Sequence, residues 1–326
     1  MLMVRSPLRI SLGGGGTDLP SYYRKKGGYL IASSIDKYIY TSVIKPFKQG
    51  IYLKYSDLES VKEPEKIKHK IFREILMMQE DFQNQIEITT LADVPAGTGL
   101  GSSGAFTVSV LKALSLHKNK YTANEELAKE ACHIEIDRLG EPVGKQDQYS
   151  SAIGGLNEFI FHKDDSVEFN KLPLSENNIA NFEDSILLFF TGYSRSASEI
   201  LKSQDTLSKK SDPSMIKNLD NVKEMGLIAK DLLIKGDIQQ YGLLMHDHWR
   251  EKLQRSPNMC SKEILKYYEE GLNNGATGGK IVGAGGGGFL MFIANDKNTL
   301  RNKMNELGLK ELPFKFDFIG THTLTY

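Results

Sequence analysis

Three glycine clusters mark where this chain of 326 residues can bring its backbone against a ligand: residues 13–16, 97–104 (Gly-Thr-Gly-Leu-Gly-Ser-Ser-Gly) and 283–288 (Gly-Ala-Gly-Gly-Gly-Gly). Each follows an apolar, strand-like segment, which argues against a flexible linker. Glycine lets a backbone approach a ligand closely and aim several N–H groups at one anion. One such cluster would serve equally as a tight turn, but three together point to ligand contact. The central cluster carries the most chemistry. Gly101-Ser102-Ser103-Gly104 opens a helical stretch at 105–116, and helix N-termini hold anions through their N–H groups and dipole. A phosphate belongs there. The spacing Gly99-x-Gly101-x-x-Gly104 also fits a dinucleotide fingerprint and hence a nicotinamide-dependent dehydrogenase, but that needs a second strand ending in an acidic residue about 20 positions on. Lys118-Asn119-Lys120-Tyr121 follows instead. A Walker A loop fails for want of a lysine. Positive charge must come from elsewhere, and Mg²⁺ held by a hydroxyl and a carboxylate, such as Ser103 and a downstream acid, would supply it.

Asp147 stands in Val143-Gly-Lys-Gln-Asp-Gln-Tyr149, where glycine, amides and a tyrosine suit an oriented carboxylate. Capping a helix is the alternative. Glu135 shares a helical stretch with Glu130 and Asp137, so a surface charge is the alternative there. Arg9, between Leu8 and Ile10 in an apolar strand, requires a partner if it is buried. A catalytic aspartate would be one. Arg195, in Thr191-Gly-Tyr-Ser-Arg-Ser-Ala197, suits a sugar phosphate or an ordinary helix-start charge. His246, His248 and Cys260 match no standard zinc spacing. Trp249 and Tyr267-Tyr268 read as packing residues.

The elements that must position these groups are mixed. Strands are expected at 8–12, 29–35, 38–44, 51–55, 86–92, 156–161, 186–191, 280–283, 289–293 and 314–319. Helices are expected around Ile67, Ile71, Ile75 and Met78, then at 105–116 and 123–137, the latter with Thr122 and Glu125 as a capping box. More helices follow at 197–207, 215–235, 238–253, 261–273 and 298–307. Strict strand-helix alternation is missing, so the class is α+β. The length exceeds what one core usually supports, giving two domains, 1–180 and 181–326, with a ligand cleft between them. Lys plus Arg (41) equals Asp plus Glu (41), so no global field recruits nucleic acid or an anionic membrane. Two cysteines form no disulfide framework, and neither a signal peptide nor a long apolar run is evident, so a cytoplasmic location is expected.

The three loops, in this order, resemble the three motifs of the GHMP kinases, the superfamily of galactokinase, homoserine kinase, mevalonate kinase and phosphomevalonate kinase. Motif one resembles 6–18, from Ser6 to Asp18; motif two resembles 93–104; motif three resembles 280–288. Within that superfamily Gly13-Gly-Gly-Gly-Thr-Asp18, Gly144-Lys-Gln-Asp-Gln148 and His246-Asp-His-Trp249 resemble the D-glycero-D-manno-heptose 7-phosphate kinase branch, with fucose-type kinases close by. The resemblance implies a domain like the second domain of ribosomal protein S5 followed by a ferredoxin-like domain. It also implies ATP and Mg²⁺ as cofactors and a small-molecule sugar phosphate as partner, phosphorylated on its anomeric hydroxyl.

Residue roles follow from the same resemblance. Gly97, Gly99, Leu100, Gly101, Ser102, Ser103 and Gly104 would hold the nucleotide phosphates, and Ser103 with Glu135 the metal. Asp147 would be the base and Arg9 the cation beside it. The acceptor would lie against Asp18, Gly15, Gly16, Arg195, Gly285 and Gly286, with Lys280 and Arg138 as further cations for its phosphate. Gly15 stands where galactokinases carry a glutamate, and 142–147 is one residue longer than in mevalonate kinases. A non-catalytic sensor on the same fold is the rival; the presence of Ser103, Glu135 and Asp147 together argues against it.

Overall fold

The computed structural model describes residues 1–79, 84–193, 197–256 and 259–325. β1 (Leu2–Gly13) buries Val4, Leu8, Ile10 and Leu12 and pairs antiparallel with β2 (Gly28–Ile44). Two strands are expected across β2, but they are one: the register slips between Pro7↔Tyr38 and Leu8↔Ile35, and Asp36 and Lys37 bulge out without ending the ladder. β3 (Gly50–Lys54), β4 (Leu58–Val61) and β5 (Gln85–Ala92) extend the sheet in the order β1-β2-β5-β3-β4, with β3 and β5 parallel. β6 (Leu156–Phe161) also pairs with β2, and β7 (Val167–Lys171) with β6. Helix Ser102–His117 packs on β1 and β2 and is buried around most of its circumference, so its apolar residues form no single stripe.

A second sheet holds β8 (Ile186–Phe190), β9 (Ala276–Ile281), β10 (Phe289–Ala294) and β11 (Lys310–Glu311), antiparallel in the order β11-β8-β10-β9. Helices Ala197–Lys209, Pro213–Lys235, Ile238–Leu253 and Lys262–Asn273 lie between β8 and β9, and helix Lys297–Glu306 between β10 and β11. That sequence and strand order make this half ferredoxin-like. Leu187, Phe189, Trp249, Tyr268 and Phe292 fill its core, which bears out the packing role of Trp249 and Tyr268. β12 (His322–Thr325) then returns to the first sheet beside β1.

One apolar cluster takes Leu8, Ile10 and Leu100 from the first half and Leu188, Val282 and Met291 from the second. Tyr241 Oη donates across this seam to Leu12 O at 2.7 Å. Gly99 and Gly283 continue directly from Leu100 and Val282, so the seam brings two of the glycine loops together.

Four local expectations change. The helix expected over 123–137 is Asn124–Cys132 followed by a wider π-helical turn, His133–Arg138. Such turns concentrate at functional sites. This one carries Glu135 into the interior, 3% exposed, while His133 and Asp137 stay outside and bond each other. Thr122 caps nothing: Ala123 is the N-cap, and the Thr122 hydroxyl bonds Ser115 at 2.7 Å, a partner supplied by the neighbouring helix. Residues 314–319 are not a strand, because their pairing with β2 stops at one isolated bridge, Phe316 to Ile35, closed by Asp36 N to Lys315 O and Asp317 N to Ser34 O, while the Asp317 side chain accepts from Tyr38 Oη at 2.8 Å. Helices Gln146–Ile153 and Glu176–Ser185 carry no apolar period that would predict them, and the second spans the stretch expected as a domain boundary. No helix among the described residues is long and apolar enough to cross a membrane.

Candidate active site

All three glycine loops open onto one cavity of about 890 Å³, within the size range of small-molecule sites. Two loops form a common wall. Gly99 has φ +85°, and a Cβ there would overlap Val282 O; a Cβ on Gly283 would lie 2.5 Å from Gly99 Cα. Only glycine at both positions lets the two backbones touch. Gly101 is the N-cap of helix Ser102–His117, in the left-handed region at φ 78°, and no side chain caps that end. Its N–H groups and dipole are therefore available to an anion at the cavity wall.

Asp147 lies in the first turn of helix Gln146–Ile153. Arg9, buried on β1, donates from Nε to Asp147 Oδ1 at 2.8 Å and approaches the same oxygen with Nη2 at 2.7 Å. Its Nη1 donates to Gly99 O at 2.6 Å. The guanidinium thus ties the carboxylate to the phosphate loop, and both contacts fall on one oxygen. Asp147 remains 31% exposed, with Oδ2 unengaged by any described side chain, so this carboxylate can meet a ligand. Partner and charge are both satisfied for Arg9, as burial requires.

Ser103 Oγ donates to Glu135 Oε2 at 2.6 Å, and Gln148 Nε2 donates to Oε1 at 2.9 Å. No cation pairs with Glu135 among the described residues. Burial raises its pKa above the usual carboxylate value, with the charge of Asp147 adding to the effect and the bonds from Ser103 and Gln148 opposing it. Mg²⁺ that travels with phosphates takes few protein ligands, all oxygen. A hydroxyl and an uncompensated buried carboxylate beside a phosphate loop fit that donor set. No group of three or more His, Cys, Asp and Glu side chains able to cage a metal occurs among the described residues. His246 bonds Tyr268 Oη at 2.9 Å.

Motif one turns tightly around Asp18. Its Oδ1 accepts from Gly16 N and its Oδ2 from Gln146 N, both at 3.1 Å, so the loop is clamped to the helix that carries Asp147. Burial raises the pKa of Asp18, and the charge of Asp147 adds to the rise. Four buried basic side chains stand nearby on the cavity wall: Lys280 on β9, His248 and Lys252 on helix Ile238–Leu253, and Arg255 just beyond it. Burial, then the charges of Arg255 and Arg9, push the Lys280 ammonium down to about 7. An unfolded lysine titrates near 10.5, so the folded state disfavours the charged form. The cost is absent above about pH 10.5, grows as pH falls, and is complete below about 7. Lys280→Met is therefore expected to raise the melting temperature most at pH about 6 and least at about 9. Thermal melts of both proteins at the two values check this, and a gain that grows with pH would contradict it.

Residues 69–155 match the description GHMP kinases N terminal domain, and 229–310 match GHMP kinases C terminal. The chain is 31% identical over 305 residues to D-glycero-alpha-D-manno-heptose 7-phosphate kinase of Campylobacter jejuni, covering 90% of this chain and 89% of that one. This protein is a GHMP kinase. As such it is an ATP-dependent phosphotransferase of α+β architecture. A bifunctional fucokinase/GDP-fucose pyrophosphorylase of Arabidopsis thaliana is 26% identical over 328 residues, 93% of this chain but 31% of that longer protein. Among solved structures, a D-glycero-D-manno-heptose 1-phosphate kinase from Bacteroides thetaiotaomicron superposes with a TM-score of 0.82 at 25% identity, covering 100% of this chain and 99% of that one.

In this GHMP kinase the cavity brings together Asp147, Arg9, Asp18, Ser103 and Glu135 with Gly97, Gly99, Gly101, Ser102, Gly15, Gly16 and Gly285. Four expected residues do not line it. The Leu100 side chain is buried in the seam, and its carbonyl accepts from Arg9 N at 2.9 Å. Gly104 faces the neighbouring helix: a Cβ there would come within 2.7 Å of Asp147 Cβ, so this glycine sets how closely the helix bearing Asp147 can pack. Gly286 donates its N–H to Met259 O and supports the third loop. Arg138 pairs with Glu74 at 2.8 Å, away from the cavity. Arg195 lies outside the described residues.

Other groups at the cavity take their place only through the fold. Gln148, Gln146 and Gly144 sit beside Asp147 in sequence, yet only the fold shows the first holding Glu135 and the third leaving room for the Asp18 carboxylate. Tyr55, His69, Leu91 and Phe106 line an apolar part of the cavity that suits a flat aromatic base. His248, Lys252 and Arg255 join from distant positions.

Proposed function

We propose that this kinase transfers the γ-phosphoryl group of ATP to the anomeric hydroxyl of a heptose 7-phosphate, such as D-glycero-D-manno-heptose 7-phosphate. The observation that carries the transfer is Asp147, held through one oxygen by Arg9 next to the phosphate loop, its other oxygen open to the cavity. Likeness to the Campylobacter heptose 7-phosphate kinase supports the acceptor. Two free cysteines, Cys132 and Cys260, agree with the reducing cytoplasm proposed for it.

The acceptor hydroxyl lies between Asp147 and the γ-phosphorus. Asp147 Oδ2 takes its proton as the oxygen attacks in line; the new O–P bond forms while the bond to the bridging oxygen breaks, and ADP departs. An anomeric hydroxyl is more acidic than an ordinary alcohol, which brings it nearer the reach of a carboxylate base. Mg²⁺, bound with the nucleotide, would be held by Ser103 and Glu135 and would neutralise phosphate charge. The loop 97–104 amides and Arg9 hold the reactants and the base in place. Glu135→Gln keeps both hydrogen-bonding positions yet removes the charge, so it is expected to raise the Mg²⁺ concentration needed for half-maximal rate by about tenfold or more. A magnesium titration of ADP release checks this; an unchanged midpoint would take Glu135 out of the metal site.

The acceptor is tested by comparing kcat/KM for heptose 7-phosphate, unphosphorylated heptose, fucose and mevalonate. Strong preference for heptose 7-phosphate is the expected result. The likeness to the Arabidopsis fucokinase favours a fucose-type acceptor as the second reading, and preference for fucose would install it.

A further inference from the structure

Of the four buried basic side chains on the cavity wall, three keep donors that the described residues leave unpaired. Lys280, Arg255, Lys252 and His248 are each 5% exposed or less. Lys252 has partners: its Nζ donates to Ile281 O at 3.0 Å and also to Gly283 O, which anchors the third glycine loop. Arg255 is partly satisfied, with Nε donating to Asn218 Oδ1 at 2.9 Å and Nη1 to Gly15 O at 3.0 Å. Its Nη2 is buried with no partner among the described residues, and both ring nitrogens of His248 are likewise buried without one there. The Lys280 ammonium makes no hydrogen bond or ion pair with any described residue. Burial holds His248 well below its ordinary pKa, with Lys280, Arg255 and Lys252 adding to the effect, so it stands as a neutral donor.

Burying charged donors without partners is costly, and the cost is recovered only when an anion arrives. Arg9 is already neutralised by Asp147, whereas Arg255 feels the carboxylates of Glu251 and Asp18 but forms no ion pair among the described residues. Three buried donors lining one cavity, two of them cationic side chains, fit a phosphate dianion, which needs several charge-assisted hydrogen bonds. The nucleotide phosphates have their own cradle at the N-terminus of helix Ser102–His117. Arg255, by contrast, holds the carbonyl of Gly15, and its Nη1 lies 2.6 Å from where a Cβ on Gly16 would stand, so the cluster belongs to the motif-one loop around Asp18.

We infer that Lys280, Arg255 and His248 form a subsite for the phosphoryl group that the acceptor already carries, separate from the one transferred. The substrate class is then a sugar phosphate, with the acceptor bridging from this subsite to Asp147. The assignment rests on the sugar-phosphate kinase reading above.

The test compares the full-length protein with Lys280→Met, which removes the charge while keeping the bulk of a buried side chain. The ratio of kcat/KM for heptose 7-phosphate over unphosphorylated heptose is expected to fall by about 30-fold or more in the variant, with KM for ATP unchanged. A raised KM for ATP and an equal loss on both sugars would assign the cluster to the γ-phosphate and overturn the subsite. Wild-type preference for the unphosphorylated sugar would overturn the acceptor reading and the subsite with it. A wild type that prefers the sugar phosphate, with a Lys280→Met variant that keeps the preference, would overturn the subsite alone. The second measurement needs no variant. With the nucleotide site saturated by a non-hydrolysable ATP analogue, inorganic phosphate is expected to raise the wild-type melting temperature further, and the absence of any further rise would overturn a separate subsite.

Discussion

Asp147→Asn is expected to lower kcat by about 10² to 10⁴-fold while leaving both KM values and the fold close to wild type. Asparagine retains Oδ1, so Arg9 keeps its acceptor there and its bond to Gly99 O, and the phosphate loop stays tied to the helix that carries residue 147. What disappears is the basic oxygen that faces the cavity. The amide can still orient a hydroxyl but cannot take its proton. Stability has two opposing contributions. Arg9 loses its counter-charge, which destabilises the variant; Asp18 and Glu135, whose pKa values the Asp147 charge helps to raise, lose a like-charged neighbour, which stabilises it. The two offset, so the melting temperature should move little. Steady-state kinetics beside a thermal melt decide the matter. A kcat within about threefold of wild type would make Asp147 a structural residue, and a large fall in melting temperature would assign the lost activity to folding.

Gly99→Val should reduce kcat/KM by about 10²-fold or more, on the scale that a displacement of about 1 Å costs a positioned site. Two independent faults combine at this position. The backbone has φ +85°, which a β-branched residue resists, and the new Cβ would collide with the carbonyl of Val282 on the facing loop. Since Gly283 is pressed against Gly99 in return, the collision forces the second and third glycine loops apart. Arg9, bonded to Gly99 O, is drawn along, and the base it holds goes with it. Nucleotide affinity and turnover should therefore fall together. Gly140→Ala is the control: its φ of +63° carries the backbone strain, but nothing lies within 4 Å of a Cβ there. Calorimetric titration with an ATP analogue separates the two. Equal affinity for Gly99→Val and wild type would remove this loop from the nucleotide site.

Which residues meet at the candidate site was largely written in the sequence, because the demands they answer are local. A positive φ or a backbone contact admits little besides glycine, so Gly99, Gly101 and Gly283 announce themselves by type alone. An arginine inside an apolar strand announces a missing partner, and Asp147 proved to be that partner. The strands and most helices were equally legible through their apolar period, as was the α+β class. What needed the tertiary structure was everything set by approach between distant segments. No sequence period signals the π turn that carries Glu135 inward, nor the short helix under Asp147, since both are held by packing rather than by an amphipathic stripe. The return of β12 to β1 joins residues from opposite ends of the chain through backbone bonds that carry no side-chain code. The basic cluster shows the limit most clearly. In sequence Lys280 is one candidate cation among several, His248 is part of a motif and Arg255 is an ordinary polar residue; what sets the three apart is burial and donors left unpaired among the described residues, both properties of the folded neighbourhood.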